Sequence, residues 1–158
     1  VTKKVGASVH DSTDLDDVVP FRIYQTQRLL RTHLMRFLGE HADGLSPEQW
    51  FIVQRLAQRS PRRQAELSEP LLGDAPNITR LIDALVDRGL VERLPDPDDR
   101  RSWLVSLTQS GRQLVTRTRR PVVSARLELF EGIDEAELGA LLAMLDRIDT
   151  NTRRILAW

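Results

Sequence analysis

Asn77, Thr79 and Arg80 fall within four positions at the start of a strongly patterned helix-forming segment. Asn can bond adenine bidentately, Arg can bond guanine, and Thr can touch a thymine methyl or a phosphate. On the exposed first turn of a helix that buries its other face, these side chains could read base edges in a major groove. A second group crowds the turn PDPDDRR, where Asp96, Asp98 and Asp99 precede Arg100 and Arg101. An Arg on a hairpin tip can enter a narrow, electronegative minor groove. Asp99, two positions before Arg101, can orient that guanidinium through a charge-assisted bond. Taken by themselves, the residues leave a plainer reading open for both groups. The first is also what any amphipathic surface helix shows, and the second is also a solvated charged turn whose carboxylates repel phosphate.

The elements that must hold these residues follow from periodicity and punctuation. Residues 1–16 are polar and aperiodic, and are expected to form a flexible arm. Over 17–41, Leu30, Leu34, Phe37, Leu38 and His41 recur at helical spacing, and Gly44 breaks the pattern. Ser46-Pro47-Glu48-Gln49 opens a second helix: a capping Ser, Pro at the first helical position and Gln closing a capping box. Trp50, Val53 and Ala57 form its apolar stripe, with Ile52 and Leu56 beside it, and it ends near Ser60-Pro61. RRQAELSEPLL, residues 62–72, is read as a short helix bent by Pro70, with Ala65, Leu67, Leu71 and Leu72 inward. The segment 75–88 places Ile78, Leu81, Ile82, Leu85 and Val86 on one face, between a capping Asp74 and a terminating Gly89. Leu90–Leu94 and Ser102–Leu107 alternate as two strands of a hairpin. Thr108 caps a long helix to about Phe130, which Pro121 should kink. Asp134 and Glu137 cap a last helix lined by Leu138, Leu141, Leu142, Leu145, Ile148 and Ile155. The expectation is a mainly α fold of six helices with a small β-hairpin, the plan of a winged helix-turn-helix.

Charge and composition narrow the function classes. The 158 residues carry 23 basic and 23 acidic groups, but the balance is uneven along the chain. Residues 1–54 sum to −1, 55–126 to +5 and 127–158 to −4. A basic middle between acidic ends suits contact with a polyanion despite the neutral total. Of the 23 basic residues 21 are Arg, which suits bidentate phosphate and guanine contacts and equally reflects a coding bias. The absence of cysteine removes disulfides, thiolate metal sites and thiol redox sensing. The N-terminus has no apolar h-region and no apolar run approaches the roughly 18 residues of a membrane span, so a cytoplasmic location is expected. The three histidines, at 10, 33 and 41, fit no metal-binding spacing, and no GxSxG or Gly-rich phosphate loop occurs. Neither an enzyme nor a cofactor is expected.

Residues 67–111 resemble the multiple-antibiotic-resistance regulator (MarR) family of bacterial transcription factors. The resemblance rests on NITRLIDALVDRGLVERLPDPDDRRSWLVSLTQSG, and most sharply on Asp99-x-Arg101 followed by Leu107-Thr108 and Gly111. Thr79-Arg80 and Gly89-Leu90-Val91 match the recognition helix and its exit, and Gly44 to Trp50 resembles the entry to the second helix. The resemblance implies a triangular homodimer on a pseudo-palindromic double-stranded DNA operator. It divides the chain into an arm (1–16), a dimerisation helix (17–44), a winged helix-turn-helix lobe (45–107) and further dimerisation helices (108–158). By position, Asn77, Thr79 and Arg80 would meet the major groove and Arg101 the minor groove, with Asp99 in support and Arg100 beside it. Arg62, Arg63 and Gln64 would approach phosphates. Pro70 departs from the family pattern, as does Ala84 where a basic residue is common.

Two further expectations come with the resemblance. Tyr24, Arg28, His33, Arg36, Trp50 and Phe51 are candidates for a small effector, an aromatic acid or an acyl thioester, although each is also at home as a core or surface residue. The apolar end of the chain, Ile148, Ile155, Leu156 and Trp158, independently asks for a partner surface. The rival reading is a winged-helix protein-interaction module without DNA binding, which would need neither Arg101 nor a polar recognition turn.

Overall fold

Ser46 accepts a hydrogen bond from Gln49 N (3.2 Å) while the Gln49 side chain accepts one from Ser46 N (3.0 Å). This reciprocal cap starts the helix Pro47–Gln58, and side-chain caps also stand at Asp14, Thr108 and Asp134. The computed structural model describes residues 14–68, 75–99 and 102–156. After a 3-10 turn at Leu15–Asp17, the order is α1 (Val19–His41), α2 (Pro47–Gln58), β1 (Arg62–Arg63), α3 (Gln64–Ser68) and α4 (Ala75–Asp87), then β2 (Val91–Pro95), β3 (Trp103–Leu107), α5 (Gln109–Leu129) and α6 (Glu135–Leu156). This is the six-helix winged helix-turn-helix plan. Of the expected arm over 1–16, residues 1–13 lie outside the described residues, as do the cap at Asp74, Pro70, Leu71, Leu72 and Trp158, while Asp14 caps the 3-10 turn in place of an aperiodic segment.

The chain divides after Arg119 into two compact units. In the first, α1, α2, α4 and the sheet enclose Leu38, Ile52, Val53, Leu56, Ile78, Ile82, Leu85 and Val105, all under 2% exposed. Leu67 from α3 and Leu114 from α5 complete this core. In the second unit, Asp134 and Glu137 exchange two hydrogen bonds (2.9 and 2.8 Å) at the start of α6, a second capping box. No residue of α6 is buried.

Three sequence expectations change. The wing is a three-stranded antiparallel sheet in the order β1-β3-β2, not a two-stranded hairpin. Arg62 and Arg63 therefore begin no helix: they pair with Val105 and Leu104 on the free edge of β3, and the helix starts at Gln64. Ala57, one residue before the end of α2, and Ala65 face solvent, while Ile52, Leu56 and Leu67 are buried. Phe51 is 45% exposed although adjacent to the buried Trp50, which packs edge-on to Phe37 at 6.4 Å. A helix with Trp50, Val53 and Leu56 on its buried face must turn Phe51 outward.

Two glycines are fixed by backbone geometry. Gly89 ends α4 with φ 65°, where a side chain would strain the turn. A Cβ at Gly111 would lie 2.2 Å from the carbonyl oxygen of Leu90. That carbonyl accepts the Thr108 N–H (3.1 Å), and Thr108 Oγ1 in turn accepts Gly111 N–H (3.1 Å) and donates to Gly89 O (2.6 Å). Gly111→Ala must therefore push α5 from the α4–β2 corner. A loss of about 1–3 kcal/mol is expected, in the range of core overpacking, read as a lowered midpoint in thermal unfolding. An unchanged midpoint would show that the corner yields freely.

Candidate nucleic-acid interface

The candidate residues stand on α3, α4 and the sheet, all in the first unit. In α4, Ile78, Ile82 and Leu85 are fully buried, which forces the opposite face outward. Arg80 is exposed on that face, and no ion pair to another described residue holds it. Asn77 and Thr79 are half-buried. Gln64 donates from Nε2 to Thr79 Oγ1 at 2.7 Å. This bond ties the first turn of α3 to the first turns of α4, so two expected DNA contacts also brace one another. Further along α4, Asp83 accepts from Arg93 of β2 at 2.6 Å, joining the helix to the sheet.

The wing is organised at its base by a residue that sequence reasoning named only as one of three turn aspartates. Asp96 is 4% exposed. Its Oδ2 accepts from Arg63 Nε (2.7 Å) and Ser102 Oγ (2.8 Å), and its Oδ1 accepts from Asp98 N (3.0 Å). The Arg63 bond, the Asp98 amide and the Ser102 hydroxyl, in that order of effect, hold its carboxyl at about 2 against an ordinary 3.8. A depressed folded pKa means that the contribution is complete above about pH 4 and is lost as pH falls through about 2. Protection of the Asp98 amide from exchange is accordingly expected to be flat from pH 7 to pH 4. A loss in that range would contradict the buried ionised carboxylate.

Arg62 is half-buried and donates from Nε to Arg59 O (3.1 Å). Asp99 lies at the described edge of the wing, its carbonyl accepting from Ser102 N (3.0 Å). Arg100 and Arg101 lie outside the described residues, so the expected Asp99–Arg101 pairing does too.

The six effector candidates stand on α1 and α2. Trp50 is core, whereas Tyr24, Arg28, His33, Arg36 and Phe51 are exposed. Arg28 sits over the Tyr24 ring at 5.9 Å, one turn along α1. A pocket of about 510 Å³ lies elsewhere, lined by Leu56 to Ser60, Leu107, Arg112, Val115 and Thr116, and none of the six lines it.

This arrangement has close counterparts among known proteins. Residues 45–103 match the MarR family model. An HTH-type transcriptional regulator of Bacillus subtilis strain 168, YkoM, is 27% identical over 125 residues, covering 78% of this chain and 79% of that protein. The transcriptional repressor CouR bound to a 23-mer DNA duplex superposes with a TM-score of 0.78 at 28% identity, over 87% of this chain and 96% of CouR. CouR from Rhodococcus jostii RHA1 bound to p-coumaroyl-CoA superposes equally well, at 0.78 and 26% identity, over 87% and 95% of the two chains. Residues 45–103 thus carry a MarR-family domain, and in its element order and wing the chain is similar to winged helix-turn-helix transcriptional regulators.

Proposed function

We propose that the protein is a sequence-specific DNA-binding repressor that acts as a homodimer on a pseudo-palindromic operator and is released by a small effector. The observation that carries the DNA-binding reading is the exposed Arg80 on the first turns of α4, braced through Thr79 and Gln64 to α3. A helix so held can present its N-terminal side chains to a major groove in a fixed register. Asn77, Thr79 and Arg80 serve as base readers, Arg62 and Gln64 approach phosphates, and Arg101, oriented by Asp99 and flanked by Arg100, enters the minor groove. The MarR-family domain and the similarity to transcriptional regulators argue for a regulatory rather than a catalytic role. Among the described residues no helix is long and apolar enough to cross a membrane.

Dimerisation is supported by the apolar side chains that α6 leaves in solvent, among them Leu142 (63% exposed), Leu145 and Ile148. The effector reading is supported by the CouR neighbour in complex with p-coumaroyl-CoA and by the exposed Tyr24–Arg28 pair, which suits a flat anion. An aromatic acid or acyl thioester is therefore the proposed class, with His33, Arg36, Trp50 and Phe51 as further candidates in a dimer.

The test is selection of genomic fragments by the purified protein at low salt, followed by elution in a salt gradient. One or a few fragments containing an inverted repeat are expected, retained to higher salt than bulk DNA. Failure to retain any fragment would favour the protein-interaction reading. Titration of the complex with aromatic acids and acyl-CoA thioesters should then release the DNA. An operator complex indifferent to all of them would remove the effector class.

A further inference from the structure

Arg63 was expected at a phosphate, yet its surroundings suit a different task. Its guanidinium bonds the buried Asp96 at 2.7 Å and lies 3.8 Å from the Asp98 carboxylate. One cation between two carboxylates leaves a local charge of −1, which offers little to a phosphate. Its backbone is held as well. Arg63 N donates to Glu66 Oε2 (2.8 Å) in the first turn of α3, and Glu66 is also paired with Arg59. A continuous chain of bonds therefore runs from α3 through Arg63 to Asp96, and from Asp96 to Asp98 and Ser102 at the two sides of the wing turn. The Asp96 side chain is 2% exposed, and a buried carboxylate stripped of its cation is costly.

We propose that Arg63 is a positioning residue for the wing: seated on Asp96, it fixes the β2–β3 turn against the first turn of the helix-turn-helix. This inference rests on the DNA-binding reading for its consequence, because the turn so fixed carries Asp99 and Arg101. It reassigns Arg63 from touching DNA to aiming the residues that do. Arg63 pairs with Leu104 on β3, so the contact bridges strand, helix and turn at one point.

The test has one arm without DNA and one with it. In the first, hydrogen exchange is followed at the amides of Asp98 and Ser102, both bonded within the wing. Arg63→Ala is expected to speed exchange there by about tenfold, the scale of one charge-assisted bond, and to leave α2 and α4 unchanged. In the second arm, Arg63→Ala and Asp96→Asn are each expected to weaken operator binding by about tenfold with an unchanged salt slope. Neither should weaken it further in an Arg101→Ala background. Arg63→Lys, which keeps a donor for Asp96, should recover most of the loss.

Asp96→Asn sets two effects against each other, since it removes a negative charge near DNA. Tighter binding by this variant would overturn the proposal, as would unaltered exchange at Asp98 and Ser102 in Arg63→Ala. A salt slope reduced by about one, with losses additive to those of Arg101→Ala, would return Arg63 to the phosphates. Arg63 is half-exposed, so Arg63→Ala and Arg63→Lys carry the comparison if Asp96→Asn does not fold. A wild-type protein that binds no DNA would sink the function proposed above, while the exchange arm would still decide whether Arg63 holds the wing.

Discussion

Leu145→Glu with Ile148→Glu is expected to yield a folded monomer. The two side chains stand one turn apart on α6, at 40 and 42% exposure, with Leu141 and Leu142 on the preceding turn. Fully burying a Leu or Ile is worth roughly 1.5–3 kcal/mol. Since these are already more than half covered, the four copies in a dimer would contribute about 2–5 kcal/mol. Placing four glutamates in the same contact adds a desolvation cost of several kcal/mol per charge. A dimer of micromolar affinity is held by about 8 kcal/mol, so the doubly substituted chain should not associate at that concentration. Both positions are exposed in the single chain, so its helix content should change little, while the thermal midpoint should fall with the lost association and become independent of concentration. Sedimentation equilibrium reads the outcome. A dimer that survives both glutamates would remove α6 from the interface.

The same numbers explain what the sequence could not say about these helices. The stripe Leu138 to Ile155 predicts a helix with an apolar face, and α6 is that helix, but periodicity is silent on what covers the face. Local rules served best where the physics is local. The Ser46–Gln49 and Asp134–Glu137 caps, Gly89 at the end of α4 and Thr108 at the start of α5 each depend on groups within a few residues. The α4 stripe was legible for the same reason: one helix face and one period. Ala57 shows the limit of that rule: seven residues after Trp50 it shares the same helix face, yet it is exposed one residue before α2 ends, because periodicity gives the face and not how far along the helix the core reaches.

The candidate site was legible in part. Gln64 stands at the start of α3 and Asn77, Thr79 and Arg80 near the start of α4, with Gln64 bonded to Thr79. What stayed hidden was β1. Two arginines ahead of QAELS look like the start of a helix, and they become a strand only because β3, some forty residues later, offers a free edge. The burial of Asp96 follows from that non-local pairing. Charge and spacing do not rank Asp96, Asp98 and Asp99 against one another, whereas the pairing of Arg63 with β3 brings its guanidinium to Asp96. The one available signal was the flanking of Asp96 by Pro95 and Pro97, which restricts the backbone on both sides of it.

Arg80→Ala should separate recognition from attraction. Arg80 is exposed near the start of α4, and no ion pair among the described residues competes for its fork. A bidentate contact to guanine is worth about 1–3 kcal/mol of discrimination per site, which is roughly a 5- to 150-fold loss. A dimer on a pseudo-palindrome carries two copies, so the loss in operator affinity can approach the square of that factor when both half-sites are read. On random DNA the same variant loses one cation per chain and little else, so binding there should weaken only through the salt-dependent term. Arg62→Ala supplies the contrast. Its guanidinium is held by the Arg59 carbonyl beside the sheet edge, so as a phosphate contact it should cost both sequences alike and lower the salt slope by about one. Anisotropy titrations of operator and scrambled duplexes at two salt concentrations distinguish these outcomes. Equal losses on the two duplexes for Arg80→Ala would move Arg80 to the phosphate backbone and leave Asn77 and Thr79 as the base readers on α4.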